Sequence, residues 1–492
     1  MKTIKDQVAV GATIARQAWT TAFGAAMDTI TDCFPRPEPR LVAREMTGAM
    51  LMELEARNCW TLAEALGHPG PHRLQHFLSR SGFDHDTARD RLAAWTAGEL
   101  VDDNAVLIVD ETGDAKSSAD CVGAARQYSG ALGGVGLCQV AVHLTYAGER
   151  GHAIIDRALY LPTAWAEDEE RRLLTHVPDE VEFATKSQLA AAMLERVRSL
   201  NIMARWLAGD EVYGGRDLRR QARRLGFDYA LAVRADHRAT TGAGSFTATQ
   251  LADRIPKKAW ARMRTGHGLK GDRHYDWALV EVQADDTPDG HEDGHAYLVI
   301  RRHRYTGERS FYRCYSTTPV TLATLIDVIT RRWKVEEDFQ LAKGVCGLDE
   351  GQTTCWNSWM RWTLISMLVA AVLAITRART TSPASPARLV VASARDSSAC
   401  CGPPCCPDPT AIWRTCCTGP PGAVTTSIRQ PRPIADGTTS PSPQPLDQQR
   451  CPTDQELQLP WKTWESSCHA PPMTTRTLPM SSKPAPLAYN CW

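Results

Sequence analysis

Residues 322–350 read LATLIDVITRRWKVEEDFQLAKGVCGLDE, and the rest of the chain is read outward from them. Apolar Leu325, Ile326, Ile329, Trp333, Phe339 and Leu341 recur at helical rather than strand spacing. No proline interrupts the run, and Gly344 and Gly347 offer places to stop it, so the spacing predicts one continuous helix. Arg332, Glu336 and Lys343 stand four and seven residues apart, on one face of such a helix. A guanidinium, a carboxylate and an ammonium in a row suit a face that meets both a divalent cation and a phosphate backbone. A solvated, salt-bridged face shows the same pattern, so the decision rests on what lies upstream.

Upstream, Ala105–Val109 is a short all-apolar run typical of a strand buried on both faces, and it ends on Asp110 and Glu111. Gln139–Tyr146 and His152–Leu161 are the next strand candidates, and the three together predict an antiparallel meander. A helix follows from Lys186 to Leu200. Ala204–Ala208 is another apolar strand, and it too runs into acids, Asp210 and Glu211. After Gly214 and Gly215 comes a basic helix carrying Arg216, Arg219, Arg220, Arg223 and Arg224, then a fifth strand at Asp228–Val233. Acids at the ends of the first and fourth strands, with a third on a later helix, resemble the ribonuclease-H-like arrangement. The expected fold class is therefore α/β, a mixed sheet flanked by helices.

The remaining segments bound this core. Residues 1–100 read as helical, with a stripe along Arg40–Arg57, Asp84 or Asp86 as a cap, and interspersed arginines that suit a DNA-binding domain or an ordinary helical bundle. The catalytic core is expected over 101–234 and 318–379. Between them, 235–317 reads as a β-rich insertion with a Gly/Thr/Ser loop, a basic region that includes Lys257 and Lys258, and strands at Tyr275–Val282, Ala296–Arg302 and Phe311–Tyr315. Trp260, Tyr275 and Trp277 among these charges suit either base stacking or a core. Residues 380–492 hold 20 of the 30 prolines and nine of the 16 cysteines, with almost no periodic apolar pattern. Disorder is expected there, and a shifted reading frame explains such text; sequencing the gene across codons 375–400 tests it.

With 56 basic and 56 acidic residues, the chain as a whole is no electrostatic magnet for nucleic acid, so a DNA surface must come from local segregation of charge. The N-terminus lacks the pattern of a secretory signal, and the most apolar run, Leu364–Ile375, is too short to span a bilayer. Scattered single cysteines before Cys400 fit a reduced interior. A cytoplasmic, nucleoid-associated protein without a membrane partner is expected.

Carboxylates on rigid elements suit two Mg²⁺ ions (Mn²⁺ substituting) about 3.5–4 Å apart, which clamp the attacking and leaving oxygens of an in-line phosphoryl displacement. The expected catalytic and metal-binding residues are Asp110, bridging both ions, Asp210 on one and Glu336 on the other. Glu111, Glu211 and Glu337 compete for these places. Adjacent strand residues face opposite sides, and Glu337 is turned about 100° from the Arg332–Glu336–Lys343 stripe.

The segments VLIVDETGDAK, QVAV, ALYLPTAWAED, FATKSQLA, WLAGDEVYG, YALAV and RRWKVEEDFQLAKGVCGLDE together resemble the DDE-superfamily transposases of bacterial insertion sequences, over roughly residues 20–375. The resemblance implies a ribonuclease-H-like core, Mg²⁺ dependence, cleavage at element ends and transfer of the freed 3′-hydroxyl into target DNA. It also implies a multimer, at least a homodimer, on double-stranded DNA. That family's tyrosine–arginine–glutamate–lysine signature falls on Ile329, Arg332, Glu336 and Lys343, with isoleucine in the tyrosine's place. Arg332 and Lys343 would then hold phosphates, joined at the DNA surface by Arg219, Arg220, Arg223, Lys257 and Lys258. The alternative is a catalytically silent DNA-binding remnant of a transposase.

Overall fold

A computed structural model describes residues 4–268 and 271–381; the readings made for the tail lie outside the described residues. Five helices come first: α1 (Ile4–Thr29), α2 (Pro37–Ala49), α3 (Cys59–Ala65), α4 (His72–Ser79) and α5 (His85–Glu99). Their ends are written in local chemistry. Asn58 and Thr61 form a reciprocal capping box on α3, and the Asp84 carboxylate accepts the Thr87 N–H at the start of α5. The stripe expected to run from Arg40 to Arg57 stops at Ala49. There the Arg57 guanidinium folds back onto the carbonyls of Met50 and Met52, satisfying the free carbonyl end of the helix.

The sheet begins with β1 (Val106–Ala115), β2 (Ala125–Ser129), β3 (Gly134–Gly148) and β4 (Gly151–Tyr160). Short α6 (Thr163–Ala166) and α7 (Glu169–Thr175) lead to α8 (Lys186–Ser199), β5 (Trp206–Gly209), α9 (Arg216–Arg224) and β6 (Asp228–Val233). β1, β3 and β4 form the antiparallel meander, while β1–β5 and β5–β6 pair in parallel. The sheet is mixed, as the element order implies.

Of residues 235–317, the strands from Ala261 onward are built into this sheet, while a short hairpin before them forms a sheet of its own. The supposed Gly/Thr/Ser loop is a hairpin of β7 (Arg238–Thr241) and β8 (Gly244–Thr247), followed by α10 (Ala248–Arg254). Then β9 (Ala261–Gly268), β10 (Gly271–Glu281), β11 (His295–His303) and β12 (Arg309–Ser316) continue it. β12 pairs antiparallel with β6, so the strand order runs β3-β1-β5-β6-β12-β11-β10-β9, with β2 and β4 also pairing with β3. An open edge at β6 is a row of unmet N–H and C=O groups, and β12 meets them.

The chain closes with α11 (Leu322–Arg331), α12 (Lys334–Gly344) and α13 (Trp356–Thr381). The single helix expected over 322–350 is thus two. Arg332 and Trp333 keep right-handed helical angles, but the bonds Trp333 N–H to Thr330 and Glu336 N–H to Trp333 span three residues, a tightened turn. α13 is long and apolar enough to cross a membrane, yet 89% of that apolar window is buried inside the protein. It is a core helix.

Alternation along β1 divides the interior. Val106 and Ile108 face a core with Trp206, Ala208, Leu325, Ile329 and Val335; Leu107 and Val109 face one shared by α8, α9, the N-terminal helices and α13. A strand covered on both sides explains its unbroken apolar run. The 1–100 helices therefore pack onto the same core as the sheet.

Candidate active site

Asp110 continues the Val106–Ile108 face of β1, and Glu111 continues the other. The parallel register sets Val109 beside Gly209, so Asp110 and Asp210 follow on neighbouring strands, about 5 Å between strand axes. The turn after Asp210 is tight: a Cβ on Gly214 would stand 2.1 Å from the Ala232 carbonyl oxygen, so only glycine fits there. The Val212 N–H donates to Asp210 Oδ1 at 2.9 Å, fixing the carboxylate at the strand end.

From the helical side, Arg332 reaches into this corner. Its Nη1 donates to Asp110 Oδ2 at 3.0 Å and its Nη2 to Glu336 Oε1 at 2.9 Å. One guanidinium joins the carboxylate of the first strand to that of the late helix, with Asp210 also within its field. Arg332 thus bonds two of the three acids singled out from the sequence, and the third, Asp210, stands at the end of the neighbouring strand.

Charge in this corner is under-compensated. Burial pushes the Asp110 carboxyl up to about 7; Asp210 and Glu111 add to that, against the opposing pull of Arg332. Burial likewise raises Asp210, with Glu111 the next cause. Competing acids are engaged elsewhere. Glu111 accepts from Lys186 Nζ (2.7 Å) and Tyr213 Oη (2.6 Å) on the far face of β1. Glu337 accepts from Lys334 and pairs with His152, which hold its carboxyl down to about 2, while Glu211 lies exposed.

Three hard carboxylates, two of them half-buried with raised pKa, make a donor set that fits Mg²⁺ or Mn²⁺. Among the described residues no group of three His, Cys, Asp or Glu side chains is arranged to hold one ion. Asp110, Asp210 and Glu336 are the residues that would hold such ions, which would supply charge neutralisation at a phosphate.

The basic residues separate into groups. Lys343 lies along β1 from the acids, its Nζ on Asp114 Oδ1 (2.6 Å) and the Gly113 carbonyl (3.1 Å). Arg219 and Arg223 correct the sequence reading, for their side chains are only 2% and 1% exposed. Arg219 binds Asp285 and Asp286, and Arg223 binds Asp286 and the Glu292 carbonyl, so neither guanidinium faces outward to DNA. Amphipathic spacing explains it: Leu218, Arg219, Ala222 and Arg223 share the inward side of α9, where acids of the β10–β11 loop await. Arg220 points outward, paired with exposed Asp289. Lys257 and Lys258 are exposed in the turn before β9, six strands from β1 along the sheet, and are not brought to the carboxylates. Trp260 lies under Arg302 at 3.9 Å, and Trp277 is fully buried.

Two connections went unread in the sequence. Lys186 and Tyr213 fasten Glu111, and Thr145 and half-buried His152 hold Asp338 on the helix that carries Glu336. The second had a readable signal. Asp338 sits with Val335, Phe339 and Ala342 on the inward stripe of α12, and a carboxylate at a core position demands a partner.

Comparison with known families agrees with this architecture. Residues 29–267 match a family described as DDE superfamily endonuclease, and residues 184–372 match a transposase DDE domain. The chain belongs to the DDE superfamily of insertion-sequence transposases. Among curated proteins it is similar to one named probable transposase for insertion sequence element IS701, from Microchaete diplosiphon. The two are 24% identical over 191 residues, which cover 38% of this chain and 47% of that protein. The match thus spans about half of that relative's length.

Proposed function

We propose that this chain is a divalent-metal-dependent DNA transposase that cuts at the ends of an insertion sequence and joins the freed 3′-hydroxyl to target DNA. What supports this reading is the Arg332 guanidinium bonded to both Asp110 and Glu336, with Asp210 at the parallel strand end beside Asp110. Asp110 and Asp210 would hold one Mg²⁺ and Asp110 and Glu336 the other, with Mn²⁺ an acceptable substitute. Bound ions supply charge neutralisation at the phosphate and a lowered pKa for water.

The chain's own residues position and neutralise. In cleavage a water oxygen bonds to phosphorus as the 3′-oxygen leaves, giving a 3′-hydroxyl and a 5′-phosphate. In strand transfer that 3′-hydroxyl oxygen loses its proton and bonds to a target phosphorus as the target's own 3′-oxygen leaves and is protonated to a hydroxyl. Arg332 stands where its fork can pass from carboxylates to phosphate oxygens, adding charge-assisted hydrogen bonds to the reacting group. Lys343 lies farther along β1, and Arg220, Lys257 and Lys258 are outward-facing candidates for duplex DNA. Two element ends must be held together, so a homodimer on DNA is proposed, working in the cytoplasm at the nucleoid.

Mg²⁺-dependent nicking of a supercoiled plasmid carrying the element ends is the test. Nicking by the full chain that disappears in Asp110→Asn supports the reading. Binding of end DNA without cleavage by the unaltered chain would instead mark it as a silent DNA-binding protein.

A further inference from the structure

Glu336, Glu337 and Asp338 are consecutive acids on α12, and the structure gives them different work. Glu336 turns to Arg332 beside Asp110. Asp338 turns inward: its Oδ2 accepts from Thr145 Oγ1 on β3 (3.0 Å), and its Oδ1 pairs with His152 Nδ1 on β4 (2.8 Å). The other imidazole nitrogen, Nε2, pairs with Glu337 Oε2 at 3.2 Å. Both ring nitrogens are thus held by successive residues of the helix that presents Glu336. The register of β3 against β4 shifts between Leu144 and Thr145, a bulge at the strand position that meets the helix.

Apolar contacts alone would hold α12 loosely about its own axis. Val335, Phe339 and Ala342 bury the helix against the sheet, but that attraction is non-directional and tolerates rotation. Hydrogen bonds from a strand hydroxyl and a strand imidazole set the rotation. One residue is about 100° of turn, so a modest roll of the helix swings Glu336 away from Asp110. Lys343 on Asp114 pins the far end of α12 to β1, leaving the near end to this group.

We propose that Thr145, His152 and Asp338 are positioning residues that set the Glu336 carboxylate against Asp110 for cation binding. This rests on the metal-dependent reading given above. The prediction is specific to cation affinity: loosening the group weakens binding of the ion that Glu336 shares with Asp110, while leaving the fold intact.

The test uses Mn²⁺ alone as probe, with the full-length chain and no DNA, counting free Mn²⁺ by electron paramagnetic resonance. Thr145→Val removes the hydroxyl at nearly constant shape and Thr145→Ser restores it; Asp338→Asn and Glu336→Gln complete the set. Thr145→Val and Asp338→Asn should each weaken Mn²⁺ binding about tenfold, as loss of an orienting partner behind a metal ligand commonly does. Thr145→Ser should bind as the unaltered chain does. Equal Mn²⁺ affinity in Thr145→Val, Thr145→Ser and the unaltered chain, whatever the melting temperatures, overturns the proposal. Should Asp338→Asn fail to fold, the two Thr145 variants still decide. Failure of the unaltered chain to bind Mn²⁺, or indifference of binding to Glu336→Gln, strikes the metal-dependent reading itself and is distinguishable from loss of the positioning role.

Discussion

Two arginine-bearing segments of this chain look alike as text and are opposites as chemistry. On α9, Arg219 and Arg223 are buried against Asp285, Asp286 and Tyr229, where each guanidinium has a carboxylate partner and neither faces solvent. At the turn between α11 and α12, Arg332 faces Asp110 and Glu336 in a corner where acids outnumber it and burial pushes Asp110 up to about 7. The first arrangement is finished. The second is crowded with negative charge that a divalent cation would relieve. Function is read from the imbalance, not from the arginines.

Substitutions can break this contrast in opposite directions. Asp110→Asn should cost about a thousandfold or more in DNA nicking, several kcal/mol of transition-state stabilisation, with little change in melting temperature. Nicking that survives this change would remove Asp110 from the reaction. Asp286→Ala acts on the finished cluster: it strips Arg223 of its carboxylate partner and Tyr229 of its acceptor in a fully buried place. A loss of about 3–5 kcal/mol in stability is expected, seen as a lower denaturant midpoint. An unchanged midpoint would mean that the α9 arginines do not hold the β10–β11 loop.

Much of this was legible in the sequence, and for identifiable reasons. The apolar run into Asp110 and the one into Asp210 are strands covered on both faces, a pattern with few other readings. The residues that misled were those whose direction depends on a distant partner. Arg219 and Arg223 read as a DNA surface because nothing near them in the chain announces Asp285 and Asp286, some sixty residues on. The long helix read over 322–350 is nearly right in spacing, but a tightened turn at Arg332–Trp333 leaves the pattern almost unchanged. β9 and the β7–β8 hairpin were missed because threonine, glycine and charge in short strands resemble loops, and the neighbouring strands supply the order. Asp338 is the converse case, a polar residue on an apolar stripe whose partners lie nearly two hundred residues earlier.

A smaller effect comes from two histidines on adjoining strands, His143 buried and His152 half-buried, with opposite shifts. Burial drives the His143 imidazole down to about 3, and it is neutral in the folded protein. Burial also opposes the charge on His152, but Asp338 and Glu337 prevail and raise it to about 9. The signs follow from linkage. His143, lowered on folding, contributes stability present above its unfolded value near 6.5 and lost as pH falls from there towards 3. His152, raised on folding, contributes stability present below about 6.5 and lost as pH rises through 9. Melting temperature should therefore decline on both the acid and the alkaline side. In His152→Gln the alkaline decline between pH 7 and 9 should flatten while the acid limb stays. An alkaline limb identical in both proteins would show that the imidazole is not held charged between the two acids.

The smallest effect sharpens the comparison on α9 itself. Arg220 sits between Arg219 and Arg223 in the chain but points outward, pairing with an Asp289 that is almost wholly exposed. Solvent screens such a pair, so Arg220→Ala should leave the melting temperature within error. If DNA lies on this side, the same change should weaken binding to end and unrelated duplexes alike, and flatten the dependence of log affinity on log salt by about one unit. Neighbours in the sequence would then divide cleanly, the inward pair governing stability and the outward one governing affinity. An Arg220→Ala chain with unchanged salt dependence would take α9 out of the DNA interface and leave Arg332 and Lys343, with the lysines before β9, as the contacts to pursue.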